Sequence, residues 1–183
     1  MPDARTDDRT VPPEDTLVSL RARLAAEPGG VLETVAEETG VSLHTVTACL
    51  PPVFRAFAPG DQAEAVMADI AEWGPVTVLV HSPDLILECK GPLPRGPFGR
   101  GYFNLAGGSP IGGHIRLDRC TAVGFVRRPI MGNGESCAVV FFNADGAAMF
   151  KIFVGRDDKR QLLPDQVDRF AALQARLCPA VAG

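Results

Sequence analysis

Residues 76–90 read VTVLVHSPDLILECK, and at Val76 the apolar pattern of the chain changes to a period of two. Apolar side chains at every second position are typical of β-strands, so Val76–His81 and Leu85–Lys90 are predicted strands. The insert between them, Ser82-Pro83-Asp84, has the residue types and the length of a hairpin turn. The segment therefore predicts an antiparallel β-hairpin.

Downstream of this hairpin the sequence predicts more sheet and one closing helix. A connection rich in glycine and proline occupies residues 91–101. The further strand candidates are Tyr102–Leu105, His114–Leu117, Ala122–Arg127, Cys137–Phe142 and Ala148–Val154. A helix is predicted over Pro164–Leu177, and its apolar stripe would cover one face of the sheet.

Upstream, the apolar period is that of helices. Segments starting at Leu17 and Val31 are predicted helices, and Ser42 is the expected N-cap of a third. A fourth helix is expected after Asp61, with Glu64 completing a capping box. Helices followed by consecutive strands and a last helix indicate an α+β fold: a large antiparallel β-sheet, an N-terminal helix-turn-helix-like lobe and a C-terminal covering helix. We expect a flexible tail at 1–15, the helical lobe at 16–58, the sheet domain at 59–178 and a tail at 179–183.

The helix-turn-helix pattern over residues 35–46 suggests a DNA reader, but its side chains do not support that function. The would-be recognition helix, Ser42–Leu50, contains no arginine or lysine, the residues that usually contact guanine and phosphate. The preceding helix carries Glu33, Glu37 and Glu38, which would repel the DNA backbone. We therefore expect a packing or docking lobe and no nucleic-acid partner, with His44 at its surface.

Composition narrows the class further. The chain has 183 residues, 46% of them hydrophobic and 22% charged, with a net charge of −4, so it can form a core and has no general attraction for nucleic acid. The polar, acidic start of the chain is unlike a signal peptide, and no stretch is long enough for a membrane span. Five scattered cysteines are typical of buried thiols in a reducing compartment. These features predict a cytoplasmic protein.

The sequence holds no familiar catalytic set. It lacks a nucleophile elbow, a zinc-protease motif, a phosphate-binding loop and a dinucleotide fingerprint. The chain contains one tyrosine, Tyr102, and three histidines, of which His81 and His114 fall in the predicted sheet. Taken alone, each of these three residues fits a structural role better than ligand binding.

Five motifs together carry a family resemblance: WGPVT at 73–77, GYFNL at 101–105, IGGHI at 111–115, FFN at 141–143 and MFKIFVGRD at 149–157. They resemble the HutX/ChuX family of bacterial haem-utilisation carriers, and the likeness extends from about Leu17 to Leu177. The resemblance implies a cytosolic homodimer whose antiparallel sheet is similar to one half of the HemS/ChuS-type proteins. It also implies a haem carrier, not an enzyme, that accepts imported haem and passes it to a haem-degrading enzyme.

The same resemblance singles out site residues. His81 and His114 fall where the family has histidines linked to haem, and Tyr102 lies in its Gly-Tyr-Phe-Asn-Leu motif. Tyrosinate suits ferric haem, so Tyr102 is the expected principal iron ligand, with His81 or His114 as a second ligand or a hydrogen-bonding neighbour. Basic side chains would pair with the haem propionates, and the candidates are Arg95, Arg100, Arg116, Lys151 and Arg156.

Alternatives remain open at this level. A haem-degrading enzyme is the main one, since the sheet resembles that of such proteins, and a haem-responsive DNA-binding regulator is the second. The dipeptide Cys178-Pro179 also occurs at thiolate haem sensors, although its position at the end of the last helix favours a chance match.

Overall fold

The computed structural model describes residues 12–132 and 134–178. Its α-helices are α1 (Glu14–Ala26), α2 (Leu32–Thr39), α3 (Leu43–Ala48), α4 (Ala63–Ile70) and α5 (Pro164–Leu177). Glu14 and Asp15 were expected in the flexible tail, but they form the first turn of helix α1. Acidic side chains are favourable there because they interact with the positive end of the helix dipole. Pro12 and Pro13 precede the helix, and the remaining predicted tail residues, 1–11 and 179–183, lie outside the described residues.

The strands form two antiparallel sheets. They are β1 (Arg55–Pro59), β2 (Pro75–Ser82), β3 (Leu85–Pro92), β4 (Phe98–Gly99), β5 (Tyr102–Leu105), β6 (Gly113–Ile115), β7 (Cys120–Ile130), β8 (Gly134–Asn143) and β9 (Ala148–Phe153). The large sheet has the order β1-β7-β8-β9-β2-β3, and the small sheet has the order β4-β5-β6. The α+β fold with a large antiparallel sheet is confirmed, as is the hairpin of β2 and β3.

The two faces of the large sheet bury different helices. Side chains on β7 and β8 alternate, so Val126 and Phe142 pack with the lobe formed by α1–α3. Their neighbours Phe125 and Phe141 face the opposite side and pack in the core that contains α4, α5 and the small sheet. Phe125 meets Phe170 of α5 edge-on, with ring centroids 5.4 Å apart. The expected covering helix is therefore present on one face, and the helical lobe covers the other.

Strand β1 was not predicted. Residues 55–58 were assigned to the helical lobe, but Arg55–Pro59 pairs with Ala122–Val126 of β7 and forms one edge of the large sheet. The strand is short, contains two alanines and ends at a proline, so its alternation is too weak to identify without its partner strand. The large sheet consequently begins inside the segment assigned to the lobe.

The capping box expected at helix α4 is wrong. The helix begins at Ala63 with Gln62 at the N-cap and no side-chain capping bond, and the carboxylate of Asp61 accepts a hydrogen bond from Gln62 instead. A 3-10 turn over Gly60–Gln62 precedes the helix and takes Asp61 out of the capping position. Strand β6 also differs from its prediction, since it ends at Ile115 and a second 3-10 turn buries Leu117.

Helix α3 packs on the sheet. Ser42 is its N-cap as expected, accepting a hydrogen bond from the Thr45 amide at 3.1 Å. His44 was expected at the surface, but it is half-buried against the rings of Phe57 and Phe142, at 5.0 and 5.1 Å between centroids. Burial lowers the pKa of His44, so the neutral ring is favoured in this apolar contact.

A buried glutamine ties α5 to the large sheet. Gln166 is 1% exposed. Its amide oxygen accepts a hydrogen bond from the Gly155 amide at 2.7 Å, and its amide nitrogen donates to the carbonyls of Trp73 and Pro75 at 2.9 and 3.0 Å. Because every polar atom of the side chain has a partner, its burial costs little, and the helix is fixed against the start of β2 and the end of β9.

Candidate functional site

An apolar cleft of about 400 Å³ lies between the large sheet and the small sheet. Strands β2, β3 and β9 contribute apolar lining, and the segment 110–116 leading through β6 forms the opposite wall. The volume is within the range of about 300–1,000 Å³ typical of small-molecule sites. The lining includes Met67, Val78, Val80, Leu87, Leu105 and Met149.

A tight turn positions the tyrosine beside this cleft. Strands β4 and β5 are joined by Arg100 and Gly101, both with positive φ, at 55° and 81°. Two consecutive residues with positive φ make the type I′ turn that suits a two-residue hairpin, and glycine adopts that conformation freely. Tyr102 then follows as the first residue of β5, opposite Gly99.

Four polar side chains share one face of the small sheet, and we call them the polar cluster: Tyr102, Asn104, His114 and Arg116. Asn104 pairs directly with His114 in the strand register. The Tyr102 and His114 rings meet edge-on with centroids 6.1 Å apart, and the Arg116 guanidinium carbon lies 5.6 Å from the Tyr102 ring centroid. His114 and Arg116 also line the cleft, so these two members of the polar cluster border the apolar space, and Tyr102 contacts both of them.

The polar cluster is open to solvent while the other face of the same strands is closed. Tyr102 is 40% exposed, whereas its neighbour Phe103 is 4% exposed and belongs to the core. Arg116 donates two hydrogen bonds to Asp118, at 2.9 and 2.7 Å. This pairing raises the pKa of Arg116 and lowers that of Asp118, so the guanidinium is held as a fixed positive charge beside the phenol.

His81 lies away from the polar cluster. On β2 its neighbour Val80 faces the cleft, so His81 points to the opposite face of the large sheet. There its Nδ1 lies 3.4 Å from a carboxylate oxygen of Glu33 on α2. Within this chain the structure therefore brings Tyr102 and His114 together and leaves His81 apart from both.

Glu33 is also paired with Lys151 of β9, and both side chains are largely shielded from solvent. Burial raises the pKa of Glu33, but the charge of Lys151 and its hydrogen bond lower it by more, so the net shift is downward. The carboxylate is thus ionised at neutral pH and joins the helical lobe to the sheet.

The basic propionate candidates differ in what they already bind. Four of the five have acidic or carbonyl partners: Arg95 with Glu72, Arg116 with Asp118, Lys151 with Glu33, and Arg156 with the carbonyls of Arg160 and Glu135. The fifth, Arg100, is exposed at the tip of the β4–β5 turn, directly before Tyr102.

The cysteines do not form a metal site. All five are free thiols, and burial raises the pKa of Cys137 to about 12. Across residues 12–132 and 134–178 there is no group of three or more histidine, cysteine, aspartate or glutamate side chains that could hold a metal ion.

Among the helices described, none is long and apolar enough to cross a membrane.

Asn104 is the functional candidate that sequence reasoning missed. It stands in the quoted Gly-Tyr-Phe-Asn-Leu motif but was given no role, since an asparagine in a strand has no chemistry that points to a ligand. Its Oδ1 lies 2.7 Å from Nδ1 of His114. Only the pairing of β5 with β6 reveals this contact, because the two residues are ten positions apart.

The fold and the site together define an α+β protein with a phenol, an imidazole and a guanidinium beside an apolar ligand cleft. The haem utilisation ChuX/HutX family matches residues 56–173, well over half of the chain. The chain is 37% identical over 166 residues to the intracellular heme transport protein HutX of Vibrio cholerae, covering 88% of this chain and 86% of that protein. The protein belongs to the ChuX/HutX family, as its motifs predict.

Solved structures agree with this assignment. The structure titled as the heme binding protein ChuX has 45% sequence identity and a TM-score of 0.80, covering 86% of this chain and 98% of that chain. ChuS, described as an E. coli heme oxygenase, is 11% identical with a TM-score of 0.68, covering 86% of this chain and 48% of that one. The ChuS likeness shows the fold alone, and it confirms that this fold corresponds to about one half of a ChuS-type protein.

Proposed function

We propose that this protein is an intracellular haem carrier. The observation that carries the proposal is that Tyr102 contacts His114 and Arg116, two residues that line an apolar cleft. A haem macrocycle needs an apolar slot, a side chain beside that slot that can bind the iron, and positive charge for the propionate carboxylates. These three features occur together here. The names of the family relatives, a haem transporter and a haem-binding protein, support the same function.

Tyr102 is the proposed principal ligand of ferric iron. A phenolate oxygen is a known protein ligand of ferric haem, and the nearby Arg116 guanidinium stabilises a negative charge on that oxygen. His114 is the proposed second ligand or hydrogen-bonding neighbour, since its ring borders that of Tyr102. His81 is on the other face of the large sheet, so its contribution to haem binding within one chain is indirect.

Arg100 and Arg116 are the proposed propionate partners. Arg100 precedes Tyr102 at the tip of the turn, where it can approach a carboxylate at the rim of the site. The Arg116 guanidinium is already hydrogen-bonded to Asp118, so a propionate would either share the guanidinium with Asp118 or replace Asp118.

The proposed physiological role is transfer. A single phenolate ligand on an exposed strand, or a weak pair of Tyr102 and His114, allows release to a haem-degrading enzyme, which a tight pair of histidines would hinder. The relatives over most of the chain are named for transport and binding, which supports a carrier over an enzyme. Cytoplasmic location, a homodimeric state and the absence of a nucleic-acid partner are parts of the same proposal.

A haem titration tests the function. Adding ferric haem to the purified protein should give a shifted Soret band that saturates at about one haem per chain. A linear, nonsaturating rise equal to that of haem in buffer would refute the carrier proposal. Incubation of the complex with an electron donor separates carrier from enzyme, because a carrier should leave the porphyrin intact.

A further inference from the structure

We propose that Asn104 is a positioning residue that holds His114 in the tautomer with its proton on Nδ1, so that Nε2 is the nitrogen available to haem. The proposal rests on the proposed haem-binding function, and it specifies which atom of His114 takes part. It follows from hydrogen-bond directions in the polar cluster.

The side-chain amide of Asn104 can have only one orientation. Its Nδ2 lies 3.1 Å from the carbonyl oxygen of Pro97, 3.2 Å from that of Gly99 and 3.0 Å from that of Tyr102. Carbonyl oxygens only accept hydrogen bonds, so the atom facing all three must be the NH₂ group. The opposite atom, Oδ1, is therefore the one that faces His114.

This orientation determines the tautomer of His114. Oδ1 of an amide only accepts a hydrogen bond, and it lies 2.7 Å from Nδ1 of His114. Nδ1 must then be the donor and carry the proton. A neutral imidazole has a single N–H, so Nε2 keeps its lone pair, which is the form that ligates a metal or accepts a hydrogen bond.

The surrounding backbone holds Asn104 in place. The backbone N–H of Asn104 donates to the Pro97 carbonyl oxygen at 3.0 Å, and the side-chain NH₂ group donates to the same oxygen. A Cβ atom on Gly96 would lie 1.6 Å from the Asn104 carbonyl oxygen, so only glycine permits this approach of the 96–99 segment. Asn104 thus connects the 97–99 segment, β5 and β6. Its side chain also donates to the carbonyls of Gly99 and Tyr102, the residues on either side of the β4–β5 turn.

The tautomer is tested first without haem. The chain contains three histidines, so long-range proton–nitrogen NMR spectra of the ligand-free protein give three ring systems, assigned with His44→Gln, His81→Gln and His114→Gln variants. At a pH where the rings are neutral, we expect His114 to carry its proton on Nδ1. A proton on Nε2 of His114 would overturn the proposal, and this result needs no Asn104 variant to fold.

Variants then test the role of the amide. Asn104→Ala should move the His114 proton to a mixture of both nitrogens. Asn143→Ala is the matched control, because Asn143 uses its Oδ1 to accept backbone amides in the β8–β9 turn. That change should leave the His114 ring signals unchanged.

Haem binding gives the second readout. Asn104→Ala should weaken ferric haem affinity by about 10-fold, the lower limit for losing a group that orients a metal ligand. If His114→Ala alters the ferric spectrum but Asn104→Ala does not, the positioning role is wrong. If the wild-type tautomer is as expected but the protein takes up no haem, the carrier function fails and the hydrogen-bond assignment stands.

Discussion

Tyr102 supplies the only phenol oxygen of the chain, and its ring contacts both the imidazole of His114 and the guanidinium of Arg116. Tyr102→Phe removes that oxygen and keeps the ring, so the packing of the small sheet should be preserved. We expect the ferric complex to lose its long-wavelength charge-transfer band and its affinity to fall by at least about 10-fold. Absorption and resonance Raman spectra of the ferric complex measure both effects.

Two histidine variants serve as comparisons for Tyr102→Phe. His114→Ala should alter the ferric spectrum less than Tyr102→Phe does, and His81→Ala should alter it least, because His81 contacts Glu33 on the other face of the large sheet. An unchanged spectrum in Tyr102→Phe, together with a lost spectrum in either histidine variant, would contradict the ligand assignment.

At the level of secondary-structure elements, the helical lobe is joined to the sheet by a shielded ion pair. Lys151 is 12% exposed and Glu33 is 21% exposed in their side chains. Lys151→Met keeps the apolar stem but removes the cation that is hydrogen-bonded to Glu33 and leaves only His81 beside the carboxylate, which should lower the free energy of unfolding by about 1–2 kcal/mol at pH 7. Chemical denaturation of the two proteins measures the difference.

The pH dependence of that difference has a definite sign. The net pKa shift of Glu33 is downward, so the pair stabilises the protein above the ordinary glutamate value of 4.5, and this stability is lost as the pH falls through the lowered value. Wild type and Lys151→Met should therefore converge in acid. Arg95→Met is the control: its pair with Glu72 is 67% and 55% exposed, and its loss should cost less than about 1 kcal/mol. Equal losses in the two variants would show that burial of the Lys151 pair has no energetic effect.

The observed helices and strands also show which sequence patterns were sufficient to predict an element. The hairpin β2–β3, strand β5 and helix α5 were predicted close to their observed bounds, because each has a clear period or clear turn residues. Strand β1 was missed and the capping box of α4 was wrong. In both places the local pattern is weak, and contacts with β7 or a 3-10 turn determine the outcome.

At the level of the whole molecule, the edge of the large sheet formed by β3 exposes apolar side chains. Strand β3 is the last strand of that sheet, and Leu85, Ile86 and Leu87 on it are 55%, 59% and 51% exposed. An edge strand with exposed apolar side chains is a ready surface for association, so we expect the homodimer to form there. Ile86→Lys should shift the protein to monomer in analytical ultracentrifugation.

Val53→Lys is the matched control for the dimer test. Val53 is 80% exposed and lies outside the sheets, so the same change of charge there should leave the oligomeric state unchanged. A wild-type protein that stays monomeric at all concentrations would contradict the expected dimer, and a dimer that persists in Ile86→Lys would contradict its location.

The candidate site was only partly accessible to sequence reasoning. Tyr102 and His114 were named in advance from residue scarcity and from the motifs around them, Arg116 was one of five basic candidates, and the structure brings the three together. The position of His81 relative to them could not be predicted, because one residue of register decides which face of a sheet a side chain occupies. The role of Asn104 depends on hydrogen bonds to three carbonyls in a neighbouring segment.

The amino-acid sequence by itself determined the fold class, most of the elements and the family, because hydrophobic period, turn residues and motifs are properties of neighbouring positions. The tertiary structure alone decided which side chains meet. It separated His81 from Tyr102, placed His44 against two phenylalanine rings and gave four of the five basic candidates partners within the chain. The physical reason is that strand pairing and sheet packing join residues far apart in the chain, and the free energy of those contacts has no local signature.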